Sequence, residues 1–152
     1  MANRTNPTVG SVSVPRRSPE SSGIEVRRGV KALVATPERA LLVGERHADG
    51  TPFWTLPGGG AHPGEPLAAA LRREMAEELR CPCVVREPVG SFWYVHRSRR
   101  RTASVYTVLS CRLLDEPAPA PDEINEMEWV APDEMPARTL PGVETVIERV
   151  LR

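Results

Sequence analysis

The sequence of 152 residues contains no continuous apolar segment of the roughly eighteen residues that a membrane-spanning helix needs. The first 22 residues also lack the apolar core of a secretory signal peptide. Cysteine is scarce, since only Cys81, Cys83 and Cys111 are present. A lone Cys-x-Cys lacks the second ligand pair of a zinc site, and an odd number of cysteines does not suit a disulfide framework. We therefore expect reduced thiols, no membrane partner and a cytoplasmic location.

An excess of charge is missing as well, because twenty basic and twenty acidic side chains give a formal net charge of zero. Proteins that bind nucleic acid or membrane surfaces are usually strongly basic, so the balance gives no indication of a nucleic-acid partner. The length suits one domain with a sizeable core. Residues 1–22 are rich in Ser, Pro, Thr and Asn without periodicity, which predicts a disordered tail before a single domain at residues 23–152.

Short β-rich runs alternate with two helical patterns along that domain. Residues 24–36 and 39–46 are predicted to form a hairpin or two neighbouring strands, and residues 83–97 and 102–114 two strands around a basic turn. A short aromatic strand and a glycine loop precede the first helix. The closing helix has an apolar stripe made of Val143, Val146, Ile147, Val150 and Leu151. The order of elements predicts an α/β or α+β fold with a mixed sheet covered by helices.

The first predicted helix carries three closely spaced glutamates. Leu67, Leu71, Met75 and Leu79 form its apolar stripe, whereas Glu74, Glu77 and Glu78 share an arc of roughly 100° that borders this stripe. Partly buried like charges are costly unless a positive group neutralises them. Oxygen ligands of this kind suit Mg²⁺ or Mn²⁺. The alternative is an ordinary surface helix whose Arg and Glu side chains pair with one another.

The spacing of these residues resembles the signature of the Nudix hydrolases: Gly59, five residues, Glu65, seven residues, Arg73-Glu74, two residues, then Glu77-Glu78. The flanking "WTLPGG" and "EMEWVAPDEMP" are also similar to the family. Arg80 stands where the family has glycine, at a position typical of a left-handed helix cap. The resemblance implies a Nudix-type α/β/α sandwich and a metal-dependent hydrolase that cleaves the diphosphate linkage of a nucleoside diphosphate-X or a nucleoside triphosphate.

The resemblance also assigns roles residue by residue. Glu74, Glu77 and Glu78 would bind Mg²⁺ or Mn²⁺ together with the Gly58 carbonyl. Arg73 and Glu65 would form a stabilising pair beside Gly59 at the junction of loop and helix. Family members differ in the carboxylate that serves as general base, so Glu74 and two loop residues, Glu123 and Glu126, are all candidates.

The substrate side is less well defined by the sequence. A nucleotide or nucleotide-sugar is the expected substrate, and a homodimer is common among such proteins. Trp54 and Tyr94 would stack on a base or belong to the core, and Arg101, in the basic run with Arg97, Arg99 and Arg100, would meet phosphates or face solvent. One alternative function is a Nudix-like nucleotide-binding sensor with little turnover. Another is isoprenoid diphosphate isomerisation, which needs a cysteine and a further glutamate in the pocket.

Overall fold

The computed structural model describes residues 23–97, 101–124 and 126–151. The predicted tail at residues 1–22, and Arg99 and Arg100 of the predicted basic turn, lie outside the described residues. The elements, in chain order, are the strands β1 (Glu25–Leu33), β2 (Ala40–Arg46), β3 (Pro52–Thr55) and β4 (Gly58–Gly60), the helix α1 (Leu67–Leu79), the strands β5 (Cys83–Val95), β6 (Thr102–Leu113) and β7 (Glu126–Val130), and the helix α2 (Pro141–Leu151).

The strands form two sheets. The first has the order β4-β1-β6-β5 and is mixed, because β1 runs parallel to β6 while β4 and β5 are antiparallel to their neighbours. The second is antiparallel, with the order β3-β2-β7. This arrangement confirms the predicted α/β class with a mixed sheet and adds a second, smaller sheet to it.

The prediction that the first two strands form a hairpin or lie side by side is wrong. β1 pairs with β4 and β6, and β2 pairs with β3 and β7 in the other sheet. An isolated bridge between Ala35 and Ala40 joins the two segments, with backbone hydrogen bonds from the Leu41 N–H to the Val34 carbonyl and from the Thr36 N–H to the Arg39 carbonyl. Between them, the Thr36 hydroxyl accepts hydrogen bonds from the backbone N–H groups of Glu38 and Arg39. This side-chain turn redirects the chain from one sheet to the other.

The two helices cover opposite faces of the mixed sheet. Val30 and Ala32 of β1, and Val34 just after it, pack in the core beneath α1, whereas Leu33 packs in the core beneath α2, as the alternation of side chains along a strand requires. From the helices, the first core receives Leu71, Met75 and Leu79, and the second receives Val143, Val146 and Ile147. Among the described residues, no helix is long and apolar enough to cross a membrane.

The structure corrects the predicted apolar stripe of the closing helix and agrees with the expected free thiols. The apolar stripe of α2 is one residue too wide in the prediction, since Val150 is 41% exposed. The three thiols are free, as expected, and all belong to or pack against the core beneath α1. They therefore fill space in the interior and do not provide the pocket cysteine that isomerase chemistry needs.

Candidate active site

The glycine cluster is a strand and not the predicted loop. Gly58, Gly59 and Gly60 form β4, which pairs with Lys31, Val30 and Gly29 of β1. Gly58 has a φ of 136°, and a Cβ there would lie 2.1 Å from the Val30 carbonyl oxygen. A Cβ at Gly59 would lie 2.7 Å from Glu74 Cδ. Only glycine permits both close approaches, which bring a backbone edge against the carboxylates of α1.

Arg73 ties this strand to the helix. Its guanidinium donates two hydrogen bonds to the Glu65 carboxylate, at 2.9 and 3.1 Å, and one to the Gly60 carbonyl at 2.9 Å. It also contacts Glu74 at 3.0 Å and Glu77 at 3.5 Å. The two-point contact to Glu65 fixes the orientation of the guanidinium. Arg73 therefore holds the entry of α1 in place and offsets part of the charge of its carboxylates.

The three helix glutamates differ strongly in environment. Glu78 is only 5% exposed, and one of its oxygens accepts a hydrogen bond from the Gly58 backbone N–H at 3.1 Å. The Glu74 side chain is 13% exposed and that of Glu77 is 49% exposed. Burial raises the pKa of Glu78 to about 8, although Lys31 and the Gly58 N–H oppose this shift. Burial also raises the pKa of Glu74, against the effect of Arg73. Buried carboxyl groups of this kind are typical of functional sites.

Two charged residues that the sequence reasoning missed belong to the same place. Lys31 of β1 is buried, and its ammonium donates a hydrogen bond to the Gly58 carbonyl at 3.0 Å. Burial by itself would lower the pKa of Lys31, but the negative charges of Glu45, Glu78 and Glu74 raise it above its ordinary value. Glu45 is half-buried on β2. A single charge inside the apolar run "GVKALV" was the signal in the sequence for Lys31, whereas Glu45 lies near the end of an ordinary strand and gave none.

The described part of the chain does not contain three His, Cys, Asp or Glu side chains already gathered as metal ligands. Glu74 and Glu77 face Arg73, and Glu78 faces the Gly58 N–H. The donor set nevertheless fits a hard divalent ion, because carboxylates of one helix face lie against the backbone edge that presents the Gly58 carbonyl. Lys31 and Arg73 are the basic groups beside these carboxylates, and both already have partners.

The remaining predicted residues lie around this centre or away from it. Tyr94 donates to or accepts from His47 Nδ1 at 2.7 Å, and both rings stack with Phe53. Trp54 is half-buried and packs against the core beneath α2. Arg101 is exposed beside Glu25, at the start of β1. Glu25 lies six residues before Lys31, the partner of Gly58, and hence about 20 Å from it along the strand.

The two loop candidates for the general base are exposed. Glu123 lies in a turn, and Glu126 begins β7 opposite Gly44. The preceding loop is docked on the end of α1, because the Ala120 N–H donates to the Glu78 carbonyl and the Ala118 N–H to that of Leu79. Among the described residues, neither Glu123 nor Glu126 forms a side-chain hydrogen bond or an ion pair with α1. The structure therefore brings the loop near the helix without joining these carboxylates to the others.

A cavity of about 430 Å³ lies elsewhere, and its lining includes Leu33, Arg86, Arg112, Trp129 and Val150. It contains none of the predicted site residues. The glycine edge and its carboxylates thus define the candidate active site by their chemistry and not by the size of a cavity.

This arrangement of a glycine edge, an arginine clamp and three helix glutamates can be compared with known proteins. The family model of the NUDIX domain matches residues 25–150. The chain belongs to the Nudix family. The Nudix signature therefore coincides with β4 and α1, the elements that build the candidate active site.

Nudix relatives of known name agree with this assignment. Nucleoside triphosphatase NudI of Salmonella paratyphi B is 30% identical over 90 residues, which are 54% of this chain and 64% of NudI, so less than two thirds of that relative is matched. A MutT Nudix hydrolase of Burkholderia pseudomallei has a similar structure, with a TM-score of 0.72, 25% identity and coverage of 83% of this chain and 98% of that one. A UDP-X diphosphatase shares the fold, with a TM-score of 0.62, 24% identity and coverage of 87% and 63%.

Proposed function

We propose that this Nudix protein is a metal-dependent hydrolase that cleaves the diphosphate linkage of a nucleoside diphosphate-X or a nucleoside triphosphate. The observation that carries the proposal is the contact between the α1 carboxylates and the glycine edge of β4. Glu78 accepts a hydrogen bond from the Gly58 N–H, and the Glu74 carboxyl group lies directly over Gly59. A purely structural helix has no need to bury two carboxylates against a backbone edge, since burial of a charge is costly.

Glu74, Glu77, Glu78 and the Gly58 carbonyl would hold Mg²⁺ or Mn²⁺. A bound divalent ion neutralises phosphate charge and lowers the pKa of its water. The chain's own residues supply the rest. Arg73 and Glu65 keep β4 and α1 in register. Glu74 is our preferred general base, because its carboxyl group lies against the glycine edge at Gly59, whereas Glu123 and Glu126 are exposed.

The substrate is proposed to be a small nucleotide or a nucleotide-sugar. The names of the relatives support this range, since NudI is a nucleoside triphosphatase and one structural neighbour is a UDP-X diphosphatase. Tyr94 remains a candidate for contact with the substrate, together with the stacked rings of His47 and Phe53. Trp54 is a weaker candidate because it packs against the core. A cytoplasmic location and a homodimer stay predictions.

The test is detection of phosphorylated products from a panel of nucleoside triphosphates, nucleotide-sugars, ADP-ribose and dinucleotides, with Mg²⁺ or Mn²⁺. The variants are Glu77→Gln and Glu78→Gln, and Glu148→Gln, an exposed carboxylate on α2, is the matched control. We expect metal-dependent turnover of one or two compounds, a loss of about a hundredfold or more in both site variants, and normal activity in the control.

Nucleotide binding without turnover of any compound would contradict the hydrolase proposal. In that case the domain would act as a nucleotide sensor. Equal activity of the wild type and both site variants would instead show that Glu77 and Glu78 do not take part in the reaction.

A further inference from the structure

The chain has nineteen arginines but only one lysine, Lys31, and this residue is just 3% exposed. Lysine normally extends its ammonium to solvent, and a fully buried one is rare unless it is compensated. Every other basic side chain in the protein, apart from the histidines, is an arginine. The position of this single lysine inside the Nudix site therefore requires an explanation that the proposed catalytic roles do not supply.

The contacts of the ammonium are specific. Lys31 Nζ donates to the Gly58 carbonyl at 3.0 Å and lies 4.7 Å from the centre of the Tyr106 ring, which is a favourable place for a cation. The Gly58 carbonyl is the backbone oxygen proposed above as a metal ligand. It is also the only hydrogen-bond partner of the Lys31 ammonium in the described part of the chain, although an ammonium has three N–H donors.

The charges nearby are those of the metal site itself. Glu45, Glu74 and Glu78 are the acidic groups whose charges act on Lys31. Lysine ordinarily carries a positive charge at neutral pH, and negative neighbours favour the charged ammonium. A divalent ion bound at the same carbonyl and carboxylates would lie within a few ångströms of it, where two positive charges repel strongly because water is largely excluded.

We propose that the Lys31 ammonium serves as the cation of this site in the metal-free protein. It binds the Gly58 carbonyl and competes with the divalent ion for that oxygen. The inference rests on the proposed function, because it assumes that Gly58, Glu74 and Glu78 bind metal. Lys31 is in this sense a positioning residue: it keeps the acidic site folded without metal and lowers the affinity for the ion. Binding of the ion would then release the ammonium from Gly58.

A different role for Lys31 makes the opposite prediction. If the hydrogen bond serves only to orient the Gly58 carbonyl towards a metal, loss of the lysine must weaken metal binding. The two roles can be separated because Met removes both the charge and the donor, whereas Gln removes the charge and retains a donor.

The first experiment is a titration of the purified protein with Mn²⁺, followed by calorimetry, for the wild type, Lys31→Met and Lys31→Gln. Arg27→Met is the matched control, since it removes one positive charge from an exposed position on the same strand. We expect both Lys31 variants to bind Mn²⁺ about tenfold more tightly or better, and the control to bind as the wild type does. Unchanged or weaker binding by both Lys31 variants would overturn the proposal.

The second experiment needs no variant, because a single lysine gives a single side-chain signal. In protein labelled at lysine Cε, we expect the Lys31 carbon resonance to move on addition of Mg²⁺ as the ammonium leaves Gly58. A resonance that stays in place while Mg²⁺ binds would contradict the proposal. This measurement decides the matter if neither Lys31 variant folds, whereas variants that fold only with Mn²⁺ would support it.

The two proposals fail in different ways. A wild-type protein that binds neither Mn²⁺ nor Mg²⁺ contradicts the proposed metal-dependent function. A wild-type protein that binds metal, hydrolyses a nucleotide and shows no response at Lys31 contradicts the role of the lysine alone.

Discussion

Arg80 shows how one residue can depart from a family signature and keep the backbone geometry that the signature requires. It caps α1 with a φ of 48° and a ψ of 37°, in the left-handed region, and its N–H donates to the Ala76 carbonyl. The sequence predicted this conformation from the glycine that usually stands there. An L residue is less stable in that region than glycine by about 1 kcal/mol.

We therefore expect Arg80→Gly to stabilise the protein by about 0.5–1 kcal/mol, since the side chain is exposed and the strain is relieved. Ala76→Gly, inside the same helix, should destabilise it by about 1 kcal/mol. Urea denaturation of the two variants measures both effects. A loss of stability in Arg80→Gly would show that the arginine side chain makes a contribution larger than the strain.

The pair of Glu65 and Arg73 makes stability depend on pH. The hydrogen bonds from Arg73, with that from the His62 N–H, lower the pKa of Glu65 from 4.5 to about 2. Because the folded state favours the ionised form, this stabilisation is complete above the unfolded pKa near 4.5 and is lost as the pH falls towards 2. Denaturation between pH 6 and pH 2 should therefore show a shallower loss of stability in Glu65→Gln than in the wild type.

A double variant provides the check on this pair. In an Arg73→Met background the Glu65→Gln change should alter the pH dependence much less, because only the His62 N–H then still binds the carboxylate. An effect as large as in the wild-type background would show that Arg73 does not cause the low pKa of Glu65.

At the scale of elements, β4 is the part of the site that the sequence described least well. A run of three glycines has no β propensity and no side-chain alternation, so it was interpreted as a loop. Its partner β1 supplies the pairing, and the absence of Cβ atoms permits the close approach of strand and helix. The glutamate arc of α1 could be predicted because helical periodicity is local, whereas strand pairing of glycines depends on residues far away in the sequence.

The three glycines of β4 should respond differently to alanine. Gly58→Ala combines a φ of 136° with a Cβ 2.1 Å from the Val30 oxygen, and we expect a loss of about 3 kcal/mol or more. Gly60→Ala meets nothing within 4 Å and should change stability by less than about 0.5 kcal/mol. Gly59→Ala should stay folded but displace Glu74, which lowers Mn²⁺ affinity by about tenfold.

Denaturation and Mn²⁺ titration of these three variants are the required measurements. Equal stability of the Gly58 and Gly60 variants would show that β4 tolerates a side chain at its first position. Normal Mn²⁺ binding by the Gly59 variant would show that Glu74 need not lie over the strand.

At the scale of the whole molecule, the site depends on how two sheets and two helices are assembled. The sequence predicted the helices and most strands, because their periodicities are local, but it placed β1 and β2 side by side. Lys31 and Glu45 come from strands of different sheets and meet only when those sheets pack together. A charge on one strand cannot predict its neighbours before the sheet order is known, which explains why both residues were missed.

This assembly separates stability from function, because α1 carries the carboxylates and α2 carries none of the proposed ligands. Met75 of α1 and Ile147 of α2 are fully buried, each in the core that its helix covers. Met75→Ala and Ile147→Ala should each cost about 2–5 kcal/mol in unfolding free energy, since each leaves a cavity.

The Met75 variant should also bind Mn²⁺ more weakly, because Met75 lies between Glu74 and Glu78 on the helix and its packing sets their positions. The Ile147 variant, measured well below its melting temperature, should bind Mn²⁺ and turn over substrate as the wild type does. An equal loss of Mn²⁺ affinity in both variants would mean that metal binding depends on the stability of the whole fold and not on the packing of α1.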